Sequence, residues 1–383
     1  MDFLGREQLR HLAENVASPC VSIYLSTHPS GEEMQGDRIR LKNLLDRAEP
    51  MLVAQGLGAP AARDLLAAAR RLLTDEVFWQ HRSQGLAVLI APGVFRTFRL
   101  PENFEEAVVV NGRFQLKPLI PLASSQQAFL LLALTQNGTK LYEGSQAGLR
   151  ERPVPGMPAN LKQAIDLETG ERGQQVHSGG KFGTGKEAAV FHGQGGQPDA
   201  HKGDLAQYFR AVWHAVQPIV HEERVPLIVA AVDYLQPIFR AACDYPHLLE
   251  KGISGNPDGR SDHDLHAQAV AAIAPILEGV RKEAADKYRQ FAGTGKASED
   301  LREVVRSAAQ GKIDTLFVER RSHQWGRFDE REQTVSLHES FQPGDDDLVD
   351  LAAVKTLAGR GRVYVVPREE MPCREPAAAI YRY

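Results

Sequence analysis

Residues 188–232 read AAVFHGQGGQPDAHKGDLAQYFRAVWHAVQPIVHEERVPLIVAAV, and this stretch decides the fold. Residues 188–192 have the composition of a short strand, and residues 193–203 form a glycine-rich loop after it. The segment Asp204–Arg224 carries apolar residues at helical spacing, so we expect an amphipathic helix capped by its first residue. The residues expected on its apolar face are Leu205, Tyr208, Phe209, Val212 and Val216. Pro226–Val232 is wholly apolar, as in strands buried on both faces, so the succession predicts an α/β domain.

The residues before this stretch predict a first α/β domain and the first strands of a second one. Strands are expected at Cys20–Leu25, Gly85–Ala91, Arg96–Arg99 and Ala107–Val110, and helices at Arg38–Leu57 and Pro60–Thr74. Proline and small polar residues at Pro118–Ser125 indicate the end of the first domain. A hairpin of Ala128–Leu134 and Thr139–Glu143, joined by the turn Gln136-Asn137-Gly138, then opens the second.

The residues after it predict a long helix, from about Asp264 to Phe291, and a third domain. The expected order in the third domain is helix Glu299–Gln310, strand Ile313–Glu319, helix Asp346–Ala358 and strand Gly361–Val366. Two helix–glycine–strand units in succession indicate a small parallel sheet with helical cover. We therefore expect an N-terminal α/β domain at 1–123, a middle domain at 124–277 and a C-terminal α/β/α domain at 278–383.

Composition and charge indicate the cellular compartment and exclude some classes of partner. Hydrophobic residues make up 43% and charged residues 25%, as in globular proteins, and no apolar run approaches the roughly 20 residues of a membrane helix. Met1–Arg10 lacks the pattern of a secretory signal, and three scattered cysteines suit a reducing compartment. The net charge of −4 is not that of a protein that binds nucleic acid by overall charge. We expect a cytoplasmic protein with no membrane and no DNA partner, whose RNA contacts come from local patches or from docking on a larger RNA–protein assembly.

Three other motifs lack parts that their chemistry needs. Gly180–Lys186 nearly spells a phosphate-binding loop, but Glu187 replaces the hydroxyl that would bind Mg²⁺. His263 and His266 are one helical turn apart, as in some metal sites, but the sequence indicates no third ligand. A capped and charged helix start explains these residues better. Asp233 follows a buried strand, where α/β proteins often place active residues, but it has no partner carboxylate. We therefore expect no metal and no cofactor.

The loop His192-Gly193-Gln194-Gly195-Gly196-Gln197 lies between a predicted strand and a predicted helix. In this setting it resembles the His-Gly-x-Gly-Gly-Gln loop of archaeal and eukaryotic class I peptide-chain release factors and of Pelota-type ribosome-rescue factors. The likeness is specifically to their bacterial branch, the bacterial archaeo-eukaryotic release factor family. Further similar segments are Cys20–Leu25, Gly85–Gly93, Leu227–Ala231, Gly252–Asn256 and Ala308–Val318. The resemblance implies a ribonuclease-H-like middle domain and a C-terminal domain with the Rossmann-like α/β fold of kink-turn-binding ribosomal proteins.

The chemistry that the resemblance implies is hydrolysis of the peptidyl-tRNA ester in the peptidyl-transferase centre of the ribosome. Gly195 and Gly196 can adopt positive φ angles that a Cβ would forbid, so the backbone can enter a crowded RNA site. Gln197 would place its backbone N–H near the developing oxyanion while its side chain orients water. By the same resemblance, the catalytic residues are Gly195, Gly196 and Gln197, and the binding residues are His192, Gly193, Gln194 and Lys202.

The sequence also departs from the release-factor pattern. Pro198 follows the loop, and the next residues lack the basic character expected beside tRNA and rRNA. The first domain has neither the Asn-Ile-Lys-Ser nor the Tyr-x-Cys motif by which the family reads stop codons; Leu41–Leu44 is no substitute. Stop-codon reading is therefore not expected, and whether the chain is an enzyme is left open.

Three functions remain in competition at this point. The leading hypothesis is a ribosome-associated translation factor in rescue, quality control or hibernation, with or without peptidyl-tRNA hydrolysis, and with a translational GTPase as a candidate partner. The alternative is a non-catalytic, stress-linked interaction protein that keeps the fold without binding the ribosome. The third is a ribonuclease or other metal-dependent hydrolase, which requires clustered carboxylates around Asp233.

Overall fold

The computed structural model describes residues 4–14, 17–28, 34–80, 83–123, 128–164, 198–342 and 344–383. The chain divides into two compact units. The first unit comprises Met1–Ala128, Ser145–Gly148 and Ala274–Tyr383, and the second comprises Phe129–Gly144 and Leu149–Ile273. Both predicted terminal domains thus fall within the first unit, and their separation from each other as domains stays a prediction. None of the helices in the described ranges is long and apolar enough to span a membrane.

The N-terminal part of the first unit is an antiparallel sheet covered by helices. Its strands are β1 (Cys20–Ser26), β2 (Gly85–Ala91), β3 (Val94–Leu100) and β4 (Ala107–Asn111), and its helices are α1 (Arg6–Ala13), α2 (Met34–Ala54), α3 (Ala59–Leu72), α4 (Glu76–Gln80) and α5 (Ile120–Ala123). The strand order is β3-β2-β1-β4. Side chains alternate along β1, so that Val21 and Ile23 pack with α2 and α3 while Cys20 and Tyr24 face the opposite core.

The second unit is built on a mixed sheet of order β7-β6-β5-β8-β9. Its elements are β5 (Phe129–Leu134), β6 (Thr139–Ser145), β7 (Gly148–Arg152), α6 (Pro198–Glu223), β8 (Leu227–Ala231), α7 (Gln236–Ala242), β9 (Ile253–Ser254) and the start of α8 (Asp262–Phe291). Strands β5 and β6 form the expected antiparallel hairpin, whereas β5, β8 and β9 run parallel. All residues of β8 are buried, which confirms the strand predicted from its apolar run.

The C-terminal part of the first unit contains two further sheets. Its elements are β10 (Ala297–Ser298), α9 (Leu301–Ala309), β11 (Ile313–Glu319), β12 (Trp325–Asp329), β13 (Thr334–Leu337), β14 (Asp346–Asp347), α10 (Leu348–Ala358), β15 (Arg362–Val366) and β16 (Ala377–Tyr381). One sheet has the order β10-β16-β11-β15 and the other β13-β12-β14. The predicted parallel pairing is confirmed for β11 and β15, but β16 and β10 add antiparallel strands to that sheet.

One hydrophobic core joins the two chain ends within the first unit. It contains Leu9 of α1 and Leu116 from the N-terminal part, together with Val304 of α9 and Leu351 of α10 from the C-terminal part, all at most 1% exposed. Burial of each such side chain stabilises the fold by about 1.5–3 kcal/mol. The two ends of the chain are therefore packed as one body, although about 150 residues lie between them in sequence.

The α/β class predicted from the sequence is confirmed, and one boundary is corrected. We expected a loop at 193–203 with Asp204 as the N-cap, but α6 already begins at Pro198, so Asp204 lies inside the helix. Proline suits a first helical turn because its φ is fixed near the helical value and its missing N–H would have had no partner there. Gly203 is accommodated within the helix at a cost of about 1 kcal/mol.

Candidate functional site

The candidate site is the loop that ends directly before α6. The residues assigned to it, His192–Gln197, lie outside the described part of the chain, and so does the phosphate-loop-like segment Gly180–Lys186. Lys202 lies in the first turns of α6, and its side chain is likewise outside the described part. The structure therefore describes the scaffold on the C-terminal side of the loop, beginning at Pro198.

Helix α6 is held to the sheet by a continuous apolar face. The five predicted residues of this face, Leu205, Tyr208, Phe209, Val212 and Val216, are all at most 2% exposed, which confirms the prediction. Trp213 and Val220 extend the same face. The indole N–H of Trp213 donates a 3.1 Å hydrogen bond to Asp244 Oδ1, so the buried polar edge of this side chain is satisfied.

Tyr208 fixes the early part of α6 to one edge of the sheet. Its hydroxyl donates a 3.4 Å hydrogen bond to the carbonyl oxygen of Thr135, which follows β5, and shares a hydrogen bond with Thr139 Oγ1 at the start of β6. Burial raises the pKa of Tyr208, so the hydroxyl keeps its proton and stays a donor. The N-terminal portion of α6 therefore lies at the edge where β5 ends.

The same edge carries polar side chains from the ends of the parallel strands. Because β5, β8 and β9 are parallel, their carboxyl ends meet at one edge of the sheet. There Gln136 donates a 2.8 Å hydrogen bond to the hydroxyl of Tyr234, whose residue is 56% exposed. Neither side chain was predicted from the sequence to be part of the site, although each lies two residues beyond the end of a predicted strand. This edge is where open α/β sheets place their binding crevices.

The segment after β9 turns sharply at this edge. Gly255 has a φ of +103°, and a Cβ there would lie 2.4 Å from the guanidinium of Arg260. That guanidinium donates to the carbonyl oxygen of Ser254 at 2.6 Å and to the side chain of Gln268. The glycine-rich segment noted in the sequence therefore has a structural reason at Gly255, because the positive φ favours glycine.

The other candidate residues are not brought together into a catalytic group. Asp233 is exposed in the turn after β8, His263 is exposed, and His266 is only 6% exposed. Within the described ranges, no three or more histidine, cysteine, aspartate or glutamate side chains are grouped so that they could hold a metal ion. The carboxylate cluster required by the ribonuclease hypothesis is thus missing from this part of the chain.

Comparison with known proteins supports the predicted resemblance. Residues 128–312 match the model of bacterial archaeo-eukaryotic release factor family 3, so the resemblance to this family is confirmed over the segment that includes the loop, α6 and the second-unit sheet. No curated protein matches the sequence.

Several solved structures also align with the chain at low identity. The archaeal translation termination factor aRF1 aligns at 14% identity over 99% of both chains, with a TM-score of 0.23. Pelota of Archaeoglobus fulgidus aligns at 11% identity over 99% of this chain and 92% of its own, with a TM-score of 0.27. Dom34 of S. cerevisiae aligns at 10% identity over 77% and 74%, with a TM-score of 0.34. Likenesses of this size carry no functional conclusion.

Proposed function

We propose that this protein is a cytoplasmic, ribosome-associated translation factor that acts in rescue, quality control or hibernation. The observation that carries the proposal is the family match over residues 128–312, which encloses the loop His192–Gln197 and the helix anchored directly behind it. The loop is the part that would enter the peptidyl-transferase centre. A translational GTPase is the candidate delivery partner implied by the release-factor resemblance.

Helix α6 would hold the C-terminal end of the loop in a fixed position. Gln197 is followed at once by Pro198, the first residue of α6, and the helix is fixed to the sheet through Tyr208 and its apolar neighbours. The first N–H groups of a helix have no partner within it and carry the positive end of the helix dipole. The residues directly behind the loop thus offer backbone donors to RNA phosphates even though few basic side chains are present.

The proposed hydrolysis needs no acid or base from the protein. Gly195 and Gly196 would let the backbone approach the ester, and Gln197 would contribute its N–H to the oxyanion and its side chain to the water.

Ribosome binding is the first test of the proposal. We expect the wild-type protein to co-sediment with ribosomes from growing or stressed cells, and the bound fraction to fall as salt rises, because phosphate contacts are screened. Replacing Lys202 with alanine should reduce the bound fraction, whereas Lys251→Ala, at an exposed position after α7, serves as the matched control. The measurement is the amount of protein in ribosomal fractions of sucrose gradients at several salt concentrations.

A protein that is missing from ribosomal fractions under both growth and stress would contradict the proposal. That outcome would favour the alternative, a non-catalytic interaction protein that keeps the release-factor fold. If the wild type binds ribosomes and the Lys202 and Lys251 variants bind them equally well, Lys202 is not a ribosome-binding residue, and the rest of the proposal stands.

A further inference from the structure

A cavity of about 430 Å³ lies within the first unit, between β4 and the start of β12. Its volume falls in the range of roughly 300–1,000 Å³ that is typical of small-ligand sites. We call it the first-unit cavity. The lining residues that matter here are Tyr24, Arg47, Phe104, Gln115, Lys117 and Trp325.

Gln115 presents an unused amide to the cavity. The residue is 8% exposed, and its backbone is fully employed: its N–H donates to Ser22 Oγ at 3.0 Å and its carbonyl accepts from the Tyr24 hydroxyl at 2.5 Å. Its side-chain amide, by contrast, has no hydrogen-bond partner among the residues that the structure describes. Its amide nitrogen and oxygen are not among the fully buried side-chain atoms that lack a partner, so they are open to a ligand that offers both a donor and an acceptor.

Lys117 adds a buried positive charge to the same wall. The residue is 2% exposed, and its ammonium group donates to the carbonyl oxygen of Ser322 and, at 3.4 Å, to Asp347 Oδ2. An ammonium group has three N–H donors, so one donor has no partner within the described ranges. Together with Gln115, it makes one wall of the cavity polar.

Aromatic side chains also line the cavity, among them Tyr24, Phe104, His323 and Trp325. The Trp325 ring lies parallel to the His323 ring, with centroids 5.8 Å apart, and meets the Phe341 ring edge-on at 5.2 Å. The Tyr24 and Phe104 rings lie 5.3 Å apart. These contacts hold the rings in place, which lowers the entropic cost of stacking a flat ligand against them.

In the described part of the chain, three arginines and three glutamates also line the cavity: Arg47, Arg320, Arg321, Glu102, Glu105 and Glu106. Arg47 is exposed and has no ion pair with any residue that the structure describes. Arg320 and Arg321 pair with Glu102 and Glu105 at 3.1 and 3.0 Å, but exposed pairs of this kind are weak. An incoming phosphate can therefore replace the glutamates as the partner of these guanidinium groups, which bind phosphate with two parallel hydrogen bonds.

We propose that the first-unit cavity binds a nucleotide, with the base against the aromatic rings, the base edge at Gln115 and the phosphate at Arg47. Stacking on aromatic rings and hydrogen bonds to an amide are the means by which proteins recognise unpaired bases. The nucleotide is either free or part of a single-stranded RNA, since both present the same chemistry. The cavity lies wholly in the first unit and contains no residue of the loop, so this inference does not depend on the proposed function.

The proposal is tested by calorimetric titration of the full-length protein with AMP, GMP, CMP and UMP, and with single-stranded RNA hexamers. We expect one binding site, which Gln115→Leu and Arg47→Ala each weaken by about tenfold or more through loss of a hydrogen-bonding or charged partner. Arg63→Ala, which removes an exposed arginine outside the cavity, is the matched control and should bind as the wild type does. Thermal unfolding of each variant checks that it is folded.

The two variants keep the test decisive. Gln115 is buried and its replacement could impair folding, whereas Arg47 is exposed and its replacement should not. Binding of mononucleotides with the expected variant dependence identifies a free nucleotide as the ligand, and binding of hexamers alone identifies an RNA base. If neither probe binds at millimolar concentration, or if binding is the same in the wild type and in folded forms of both variants, the proposal is overturned.

Discussion

Replacing Gln197 with alanine is expected to lower the rate of peptidyl-tRNA hydrolysis by about 10²-fold, in line with the loss of one group that stabilises a transition state. The Gln197 side chain would orient the attacking water, and alanine cannot do so. Alanine does keep the backbone N–H, so a residual rate from oxyanion stabilisation should remain. The measurement is single-turnover release of labelled peptide from ribosomes that carry peptidyl-tRNA.

A variant of the neighbouring residue Gly196 separates the contribution of the loop backbone from that of the Gln197 side chain. Gly196→Ala keeps the glutamine side chain but penalises positive φ angles by about 1–2 kcal/mol, so it should slow hydrolysis through the position of the backbone. Gln217→Ala, in the last turns of α6, is the matched glutamine control, because its side chain has no hydrogen bond with other described residues. A measurable wild-type rate that is unchanged in Gln197→Ala would refute the catalytic assignment. Ribosome binding without any wild-type hydrolysis would make the loop a contact rather than a catalyst.

Asp350→Ala is expected to lower the free energy of unfolding of the first unit by several kcal/mol. Asp350 is 3% exposed, and its carboxylate accepts the backbone N–H groups of Leu116 at 2.9 Å and Lys117 at 2.6 Å. Alanine would leave two buried donors without a partner, at about 1–3 kcal/mol each. The measurement is urea unfolding, and Asp64→Ala, at an exposed position on α3, is the control. A loss no greater than that of the control would show that these contacts contribute little.

The same residue should make stability depend on pH. Burial, with a smaller contribution from the nearby charge of Asp347, raises the pKa of Asp350 to about 7. The unfolded chain, with an ordinary aspartate pKa of about 3.9, therefore loses this proton at lower pH than the folded protein does. The stability contributed by Asp350 is fully present below about pH 4, falls as pH rises toward 7, and is constant above that.

Asp350→Asn isolates this dependence. Asparagine keeps an oxygen that accepts the two N–H groups, but it does not titrate. Between pH 5 and 7 the free energy of unfolding of the wild type should fall relative to that of the variant by at most about 1.4 kcal/mol per pH unit. The comparison cancels the titration of groups that do not interact with Asp350. Parallel pH profiles of the two proteins would contradict the assignment.

Elements with a strong repeating pattern could be predicted, and elements set by tertiary contacts could not. The apolar face of α6 and the buried strand β8 follow from side-chain spacing alone. Strands β12 to β14 are only two to five residues long, too short for a repeating pattern to indicate them, although Phe328, Val335 and Leu337 pack against the core of the first unit. The predicted start of α6 was wrong because Gly203 and Asp204 have the composition of a loop and a cap, whereas both lie inside the helix.

The candidate site could likewise be predicted from the sequence only in part. The loop motif is local in sequence and could be recognised there, whereas the hydrogen bond between Gln136 and Tyr234 joins residues 98 positions apart. The first-unit cavity depends on residues as distant as Tyr24 and Trp325. Such juxtapositions follow from the pairing of strands and the packing of helices, which no single stretch of sequence specifies.

The shared core of the first unit also bears on how the protein is made. A ribosome that synthesises this chain completes the second unit at Ile273, when the C-terminal part of the first unit has yet to be made. The core that contains Leu9 and Leu116 therefore cannot form until α9 and α10 have been synthesised. Since domains generally fold as units during synthesis, the inserted unit can reach its native state first, while this core of the first unit is still incomplete. Interrupted synthesis would therefore leave the folded second unit attached to an unfinished partner.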